Sequence, residues 1–114
     1  MSDRLIQSQK RLHDSLFELY MDGGLELFHA GTRGLKRDLI IRLETSALTP
    51  EKGEIIHYYA FNRWDEDDEF EEWAKPSVAL STEAERLLGV TNSQLEGCRP
   101  TAVVMQSFAA FAEI

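Results

Sequence analysis

The segment from Glu54 to Trp64 constrains the fold of this chain more than any other feature. It reads Glu-Ile-Ile-His-Tyr-Tyr-Ala-Phe-Asn-Arg-Trp, and this concentration of β-branched and aromatic side chains favours an extended strand. Two other segments with strand character come before it in the chain. We therefore predict that Glu54–Trp64 is the last strand of an antiparallel meander.

The segment just before it, residues 35–45, alternates in the manner of a half-buried antiparallel strand, with Leu39, Ile41 and Leu43 on one face. Residues 25–30 fit either a strand or a helix, but the turn-like run of residues 31–34 that follows them favours a strand. Pro50 and Gly53 predict a loop over residues 46–54. The sequence therefore predicts a three-stranded antiparallel meander.

Helical patterns flank this meander. Leucines recur at helical spacing over residues 3–21, and Gly23-Gly24 provides an end for that predicted helix. Thr82 with Glu85, and Thr91 with Gln94, have the spacing of capping boxes at the start of short helices. After Pro100, residues 101–113 favour a final helix because alanines surround the phenylalanines, although a fourth strand through residues 102–105 is the alternative.

These elements predict an α+β fold: an N-terminal helix, the three-stranded meander, short helices, and a C-terminal helix packed on the sheet. The 114 residues fit one domain spanning 1–114. A single cysteine, Cys98, cannot form an internal disulfide, which favours a reducing compartment. With no apolar run long enough to span a bilayer, we expect a cytoplasmic protein that does not contact a membrane.

The net charge of −8 is concentrated in one segment. The segment is residues 65–72, which contain seven of the 20 acidic residues. The rest of the chain has 13 acidic and 12 basic side chains, a net charge of −1. The acids of this segment are Asp65, Glu66, Asp67, Asp68, Glu69, Glu71 and Glu72. Such a charge argues against direct binding to nucleic acid and is compatible with a basic protein partner. Because Phe70 and Trp73 lie three residues apart, we predict a short amphipathic helix over residues 67–74.

No motif indicates catalysis, a metal or a cofactor. The spacing of Asp65, Asp67 and Glu69 resembles the start of a calcium loop, but Phe70 and Pro76 stand where such a loop needs glycine and glutamate. The three histidines are scattered, and the glycine-rich runs match neither nucleotide-binding pattern. We therefore predict no cofactor, no metal and no catalytic residue.

The hypothesis that follows is a small protein-binding module, such as an inhibitor or immunity-type protein, that covers a basic, nucleic-acid-binding surface of its partner. The seven acids would attract the partner, with Trp64 and Trp73 as anchors. One alternative is a ligand-binding domain or enzyme whose pocket, between sheet and helices, has His57 and Tyr59 pointing inward. Another is a structural subunit that forms a homodimer through its apolar C-terminal stretch or an open sheet edge.

Overall fold

Four antiparallel strands and four helical segments make up the part of the chain that the computed structural model describes, residues 10–18, 25–29, 38–49 and 51–113. The strands lie in the order β1-β2-β3-β4. They are β1 (Leu25–His29), β2 (Asp38–Thr45), β3 (Ile55–Asn62) and β4 (Asp65–Trp73). The helices are α1 (residues 10–18), α2 (Thr82–Leu88), α3 (Asn92–Leu95) and α4 (Thr101–Ala112). The predicted α+β fold and three-stranded meander are confirmed, and a fourth strand extends the sheet.

One face of the sheet, called the inner face here, carries the main core. Alternate residues of β2 and β3 point into it, as the period of two in a strand requires. They are Leu39, Ile41, Leu43, Tyr58 and Ala60, each at most 2% exposed. Helices α1 and α4 cover this face through Leu16, Phe17, Val104 and Phe108. The predicted buried face of β2 and the predicted C-terminal helix are thus confirmed.

A short hydrogen-bond chain joins the sheet to the start of α4. The Tyr58 hydroxyl lies 3.0 Å from Thr101 Oγ1, and that hydroxyl in turn donates to the backbone carbonyl of Ile55. Burial raises the pKa of Tyr58 above its ordinary value, so the phenol remains a neutral donor. The first turn of α4 is thereby fixed against β3.

A second, smaller core lies where α2 and α3 meet one end of the sheet. It consists of Ile56, Leu80, Val90 and Leu95, with Trp73 packed against it. The predicted capping box of Thr91 and Gln94 is present at the start of α3. Helix α2 differs from the prediction, because Ser81 caps it and Thr82 is already its first helical residue. It ends at Gly89, in the left-handed conformation that glycine accommodates.

The predicted helix over residues 67–74 is wrong, because this segment forms β4. It pairs with β3 in antiparallel register, and Phe70 lies opposite Ala60 on the inner face. There the Phe70 ring packs against Phe108 and Phe111, at centroid distances of 5.6 and 5.7 Å. Pairing satisfies the backbone groups of β3 and partly buries Phe70, while most of the carboxylates stay in water. The stabilisation from strand pairing and from packing Phe70 opposes the electrostatic repulsion between the acids.

Parts of other predictions fall outside the described residues. These are the two ends of the predicted N-terminal helix, its glycine stop at Gly23-Gly24, and the turn at residues 31–34. Within the described ranges, no helix is both long enough and apolar enough to cross a membrane.

Candidate functional site

The predicted acidic segment forms an outer strand of the sheet. Strand β4 has β3 on one side, and no other described strand pairs with its second side. Five of its acidic residues are exposed, and these are Asp65, Glu66, Asp67, Glu69 and Glu71. Extended geometry spreads them over the length of the strand instead of around a helix.

Four acids of β4 are engaged by neighbours, with Glu72 described below. Asp65 Oδ1 accepts a hydrogen bond from the backbone N–H of Asp67 at 3.1 Å. Asp68 accepts a hydrogen bond from Asn62 Nδ2 at 3.2 Å. Glu71 lies 3.0 Å from Nε2 of His57, and its side chain remains 57% exposed. In contrast, Glu66, Asp67 and Glu69 make no side-chain hydrogen bond or ion pair within the part of the chain that the structure describes. Those three carboxylates are therefore available to a partner without breaking such a contact.

Glu72 has a structural role. Arg99, just before α4, donates Nε and Nη2 to its two carboxylate oxygens at 2.7 and 2.6 Å. This two-pronged contact with Arg99 lowers the pKa of Glu72 below its ordinary value. Arg99 also donates to Ser107 on α4 at 3.2 Å. The pair ties the end of β4 to the C-terminal helix.

Replacing Arg99 with glutamine should lower the melting temperature at pH 7, and the loss should disappear in acid. Because the folded-state pKa of Glu72 is depressed, the stabilisation is present above the ordinary carboxyl pKa. It is lost as the pH falls through the depressed value. Thermal unfolding of both proteins from pH 7 to pH 2 measures the difference. Arg86→Gln is the control, since Arg86 lies 3.9 Å from Glu83 and both side chains are 74% exposed. A pH-independent difference for Arg99→Gln would contradict this role of Glu72.

The two predicted anchors lie at opposite ends of β4, about 30 Å apart at the usual rise of an extended strand. Trp64, in the turn between β3 and β4, is 49% exposed. Its indole Nε1 donates to Asp38 at 2.8 Å, and the Arg63 guanidinium lies 4.4 Å from its ring centroid. Trp73 is half-buried and stacks on His57 at 4.2 Å. Trp64 is thus the more accessible of the two.

The sheet face opposite the main core, called the outer face here, carries aromatic side chains of β3. The ligand-binding alternative has His57 and Tyr59 pointing inward, but neither belongs to the main core. Tyr58 takes the inner position, with its ring 5.5 Å from that of Phe108. Alternation then places His57, Tyr59 and Phe61 on the outer face.

The His57 ring fills the space between β2 and β4 on this face. Its Nδ1 atom is buried, has no hydrogen-bond partner among the described residues, and lies 4.0 Å from Glu44 Oε2. Its Nε2 atom faces Glu71, as described above. Among the described residues, no group of three or more His, Cys, Asp or Glu side chains is arranged to hold a metal ion. His57 thus links β2, β3 and β4 on the outer face.

A groove of about 550 Å³ lies between α2 and the loop that follows β2. Leu48 and Leu87 at its rim are each 72% exposed. Lys52, Ser81 and Glu83 supply polar groups to its lining. Neither His57 nor Tyr59, the two residues that the ligand-binding alternative placed in its pocket, lines this groove.

Comparison of the chain with protein-family models, curated proteins and solved structures gives no match. The geometry of the acidic strand and the outer face is therefore the basis for the function proposed below.

Proposed function

We propose that this protein is a small acidic binding module that docks on a basic surface of another protein. The observation that carries the proposal is the placement of seven carboxylates on an outer strand, most of them in contact with water. A rigid, extended row of like charges attracts a complementary surface and accelerates its encounter. Three of these carboxylates have no described side-chain partner, so a cationic partner would not have to displace one.

The charge spacing supports a partner that otherwise binds nucleic acid. Seven carboxylates within the eight residues 65–72 give roughly one charge per 3.8 Å of extended strand. One strand of DNA carries about one charge per 3.4 Å of helix axis. Alternate carboxylates point to opposite faces, so a phosphate-binding surface meets this full density only where it wraps around the outer edge of β4, and about one charge per 6.7 Å on either face. Inhibition by occlusion of such a surface follows from this match.

Two features oppose the alternative of a homodimer. The apolar side chains of the C-terminal stretch are used within the chain, since Val104, Met105 and Phe108 lie in the main core. The outer edge of β4 carries carboxylates, and two such edges would repel each other. Charge on an edge strand protects it from pairing with another copy and leaves it open to a cationic partner.

A variant with three neutral amides tests the proposal directly. Glu66→Gln, Asp67→Asn and Glu69→Gln remove three charges from β4 while preserving side-chain shape. The matched control is Asp14→Asn, Glu51→Gln and Glu83→Gln, three exposed acids on other elements. Both variants carry a net charge of −5 instead of −8. Immobilised wild type, variant and control are each incubated with a lysate of the native host at low and high salt.

We expect wild type and control to retain the same protein, the β4 variant to lose it, and high salt to release it. Purified partner should then lose its affinity for nucleic acid when wild type is added. Retention of that protein by all three forms would show that the acids of β4 are not the binding surface. If the β4 variant displaced nucleic acid from the purified partner as readily as wild type does, the occlusion mechanism would be contradicted.

A further inference from the structure

The outer face presents two pairs of an aromatic ring and a carboxylate side by side. Tyr59 on β3 lies opposite Glu71 on β4, and Phe61 lies opposite Glu69. Opposite residues on antiparallel strands share a face, with Cβ atoms roughly 5 Å apart. The two rings are neighbours, with centroids 5.9 Å apart, and both side chains are half-buried. The Phe61–Glu69 pair therefore offers a ring and an unengaged carboxylate to one cation. In the Tyr59–Glu71 pair one carboxylate oxygen lies 3.0 Å from His57 Nε2, and the other oxygen remains for a cation.

No described helix covers this part of the sheet. Helices α1 and α4 pack on the inner face, and the small core beneath α2 and α3 lies at the Trp73 end of β4. Half-buried aromatic rings beside carboxylates attract a cationic group in two ways: through the ring face and through the negative charge. This surface therefore suits a partner that carries planar cationic side chains.

The same combination occurs within the chain itself, in the turn between β3 and β4. The Arg63 guanidinium lies 4.4 Å from the Trp64 ring centroid, and its Nε atom is 3.8 Å from Asp38 Oδ2. One guanidinium thus contacts both a ring and a carboxylate. The pairs on the outer face have the corresponding ring and acid.

We propose that the pairs Tyr59–Glu71 and Phe61–Glu69 bind arginine side chains of an extended basic segment of the partner. This inference rests on the proposed function and specifies its partner chemistry. Arginine suits the pairs better than lysine because its planar guanidinium stacks on a ring while its N–H groups donate to a carboxylate. The second pair lies two residues from the first along each strand, a separation of about 6.7 Å. Alternate residues of an extended peptide have the same separation, so an Arg-X-Arg segment fits both pairs.

Arg42 sets a boundary to this surface. It lies opposite Tyr59 on β2, and its guanidinium is 4.0 Å from Glu44. Its side chain is 65% exposed, so its charge opposes an incoming cation on that side. The proposed site is therefore confined to the half of the outer face formed by β3 and β4. Arg42→Gln should tighten the binding of an arginine peptide.

The probe is a nine-residue peptide with arginine at every odd position and serine between, compared with the same peptide carrying lysine. Binding to wild type, to Tyr59→Leu/Phe61→Leu and to the β4 amide variant is measured by calorimetry at low salt. Leucine keeps an apolar side chain at each position while removing the ring. Circular dichroism and thermal unfolding establish that each variant is folded.

We expect wild type to prefer the arginine peptide by roughly fivefold, because a guanidinium stacks on a ring and donates to the adjacent carboxylate at once, whereas an ammonium makes only a point contact. The leucine variant should lose this preference while its affinity for the lysine peptide changes by less than about twofold. Equal affinity of wild type for the two peptides, with both weakened in the β4 amide variant, would overturn the arginine inference and leave the proposed function standing. Failure of wild type to bind either peptide would also overturn it, and the lysate experiment then judges the proposed function separately.

Discussion

Replacing Phe108 with alanine should destabilise the fold by about 3–5 kcal/mol, the usual cost of truncating a buried aromatic residue. The Phe108 side chain is fully buried, and its ring neighbours those of Tyr58, Phe70 and Phe111. These rings come from β3, β4 and α4, so the cavity would open where the helix meets the sheet. Domains of this kind have a total stability of about 5–15 kcal/mol, so the variant would lose a large share of it.

Urea unfolding followed by circular dichroism measures this loss as a lower transition midpoint. Val103→Ala on the same helix is the control, since Val103 is 42% exposed and should change the stability by less than about 0.5 kcal/mol. Phe108→Leu provides a folded intermediate case with a smaller loss. If Phe108→Ala cost no more than Val103→Ala, α4 would not pack on the inner face as described.

The second large effect is expected at Gly53, just before β3. A Cβ atom there would lie 2.7 Å from the carbonyl oxygen of Ala47 and 2.7 Å from Cζ of Phe17. The first of these neighbours is backbone and the second is a buried ring, so neither yields easily. Gly53→Ala should therefore destabilise the protein by about 1–3 kcal/mol through overpacking.

Gly97→Ala is the matched control for this substitution. A Cβ atom at Gly97 would meet nothing within 4 Å, and its backbone is outside the region that disfavours other residues. The substitution should be neutral, or stabilising by about 0.4–1 kcal/mol through the unfolded state. Chemical unfolding of the two variants and of wild type measures the change in the free energy of unfolding for each. Equal effects would contradict the close approach of the loop to α1.

The strands of the meander were predictable because their signals are local. Alternation in residues 38–45 and the β-branched and aromatic run from Ile55 to Phe61 identify β2 and β3 without reference to the rest of the chain. The capping box at α3 and the helix after Pro100 are local signals as well. Each depends on neighbouring residues alone, and these parts of the prediction were confirmed.

The fourth strand was not predictable in this way. Acidic residues are uncommon in strands, and the spacing of Phe70 and Trp73 also fits a turn of helix. Strand formation depends instead on pairing with β3 and on the packing of the partly buried Phe70 against α4, contacts between residues far apart in sequence. Local propensity depends only on residues adjacent in sequence and therefore does not predict these contacts.

The orientation of β3 was also beyond local reasoning. His57, Tyr58, Tyr59 and Phe61 are all aromatic, so composition does not show which of them face inward. Packing against Phe108 selects Tyr58, and the outer face then receives the other three. The acids of the candidate site were identified from the sequence, whereas the rings beside them became visible only with the register of β3 and β4.

The most direct test of the proposed binding surface on β3 and β4 is to map it by NMR. Amide chemical shifts of the ¹⁵N-labelled protein are followed while the alternating arginine peptide is added. We expect the largest changes on residues 59–61 of β3 and 66–71 of β4, and we expect these changes to fade as salt is raised. Changes centred on residues 46–49 and 82–88, around the groove beside α2, would contradict it.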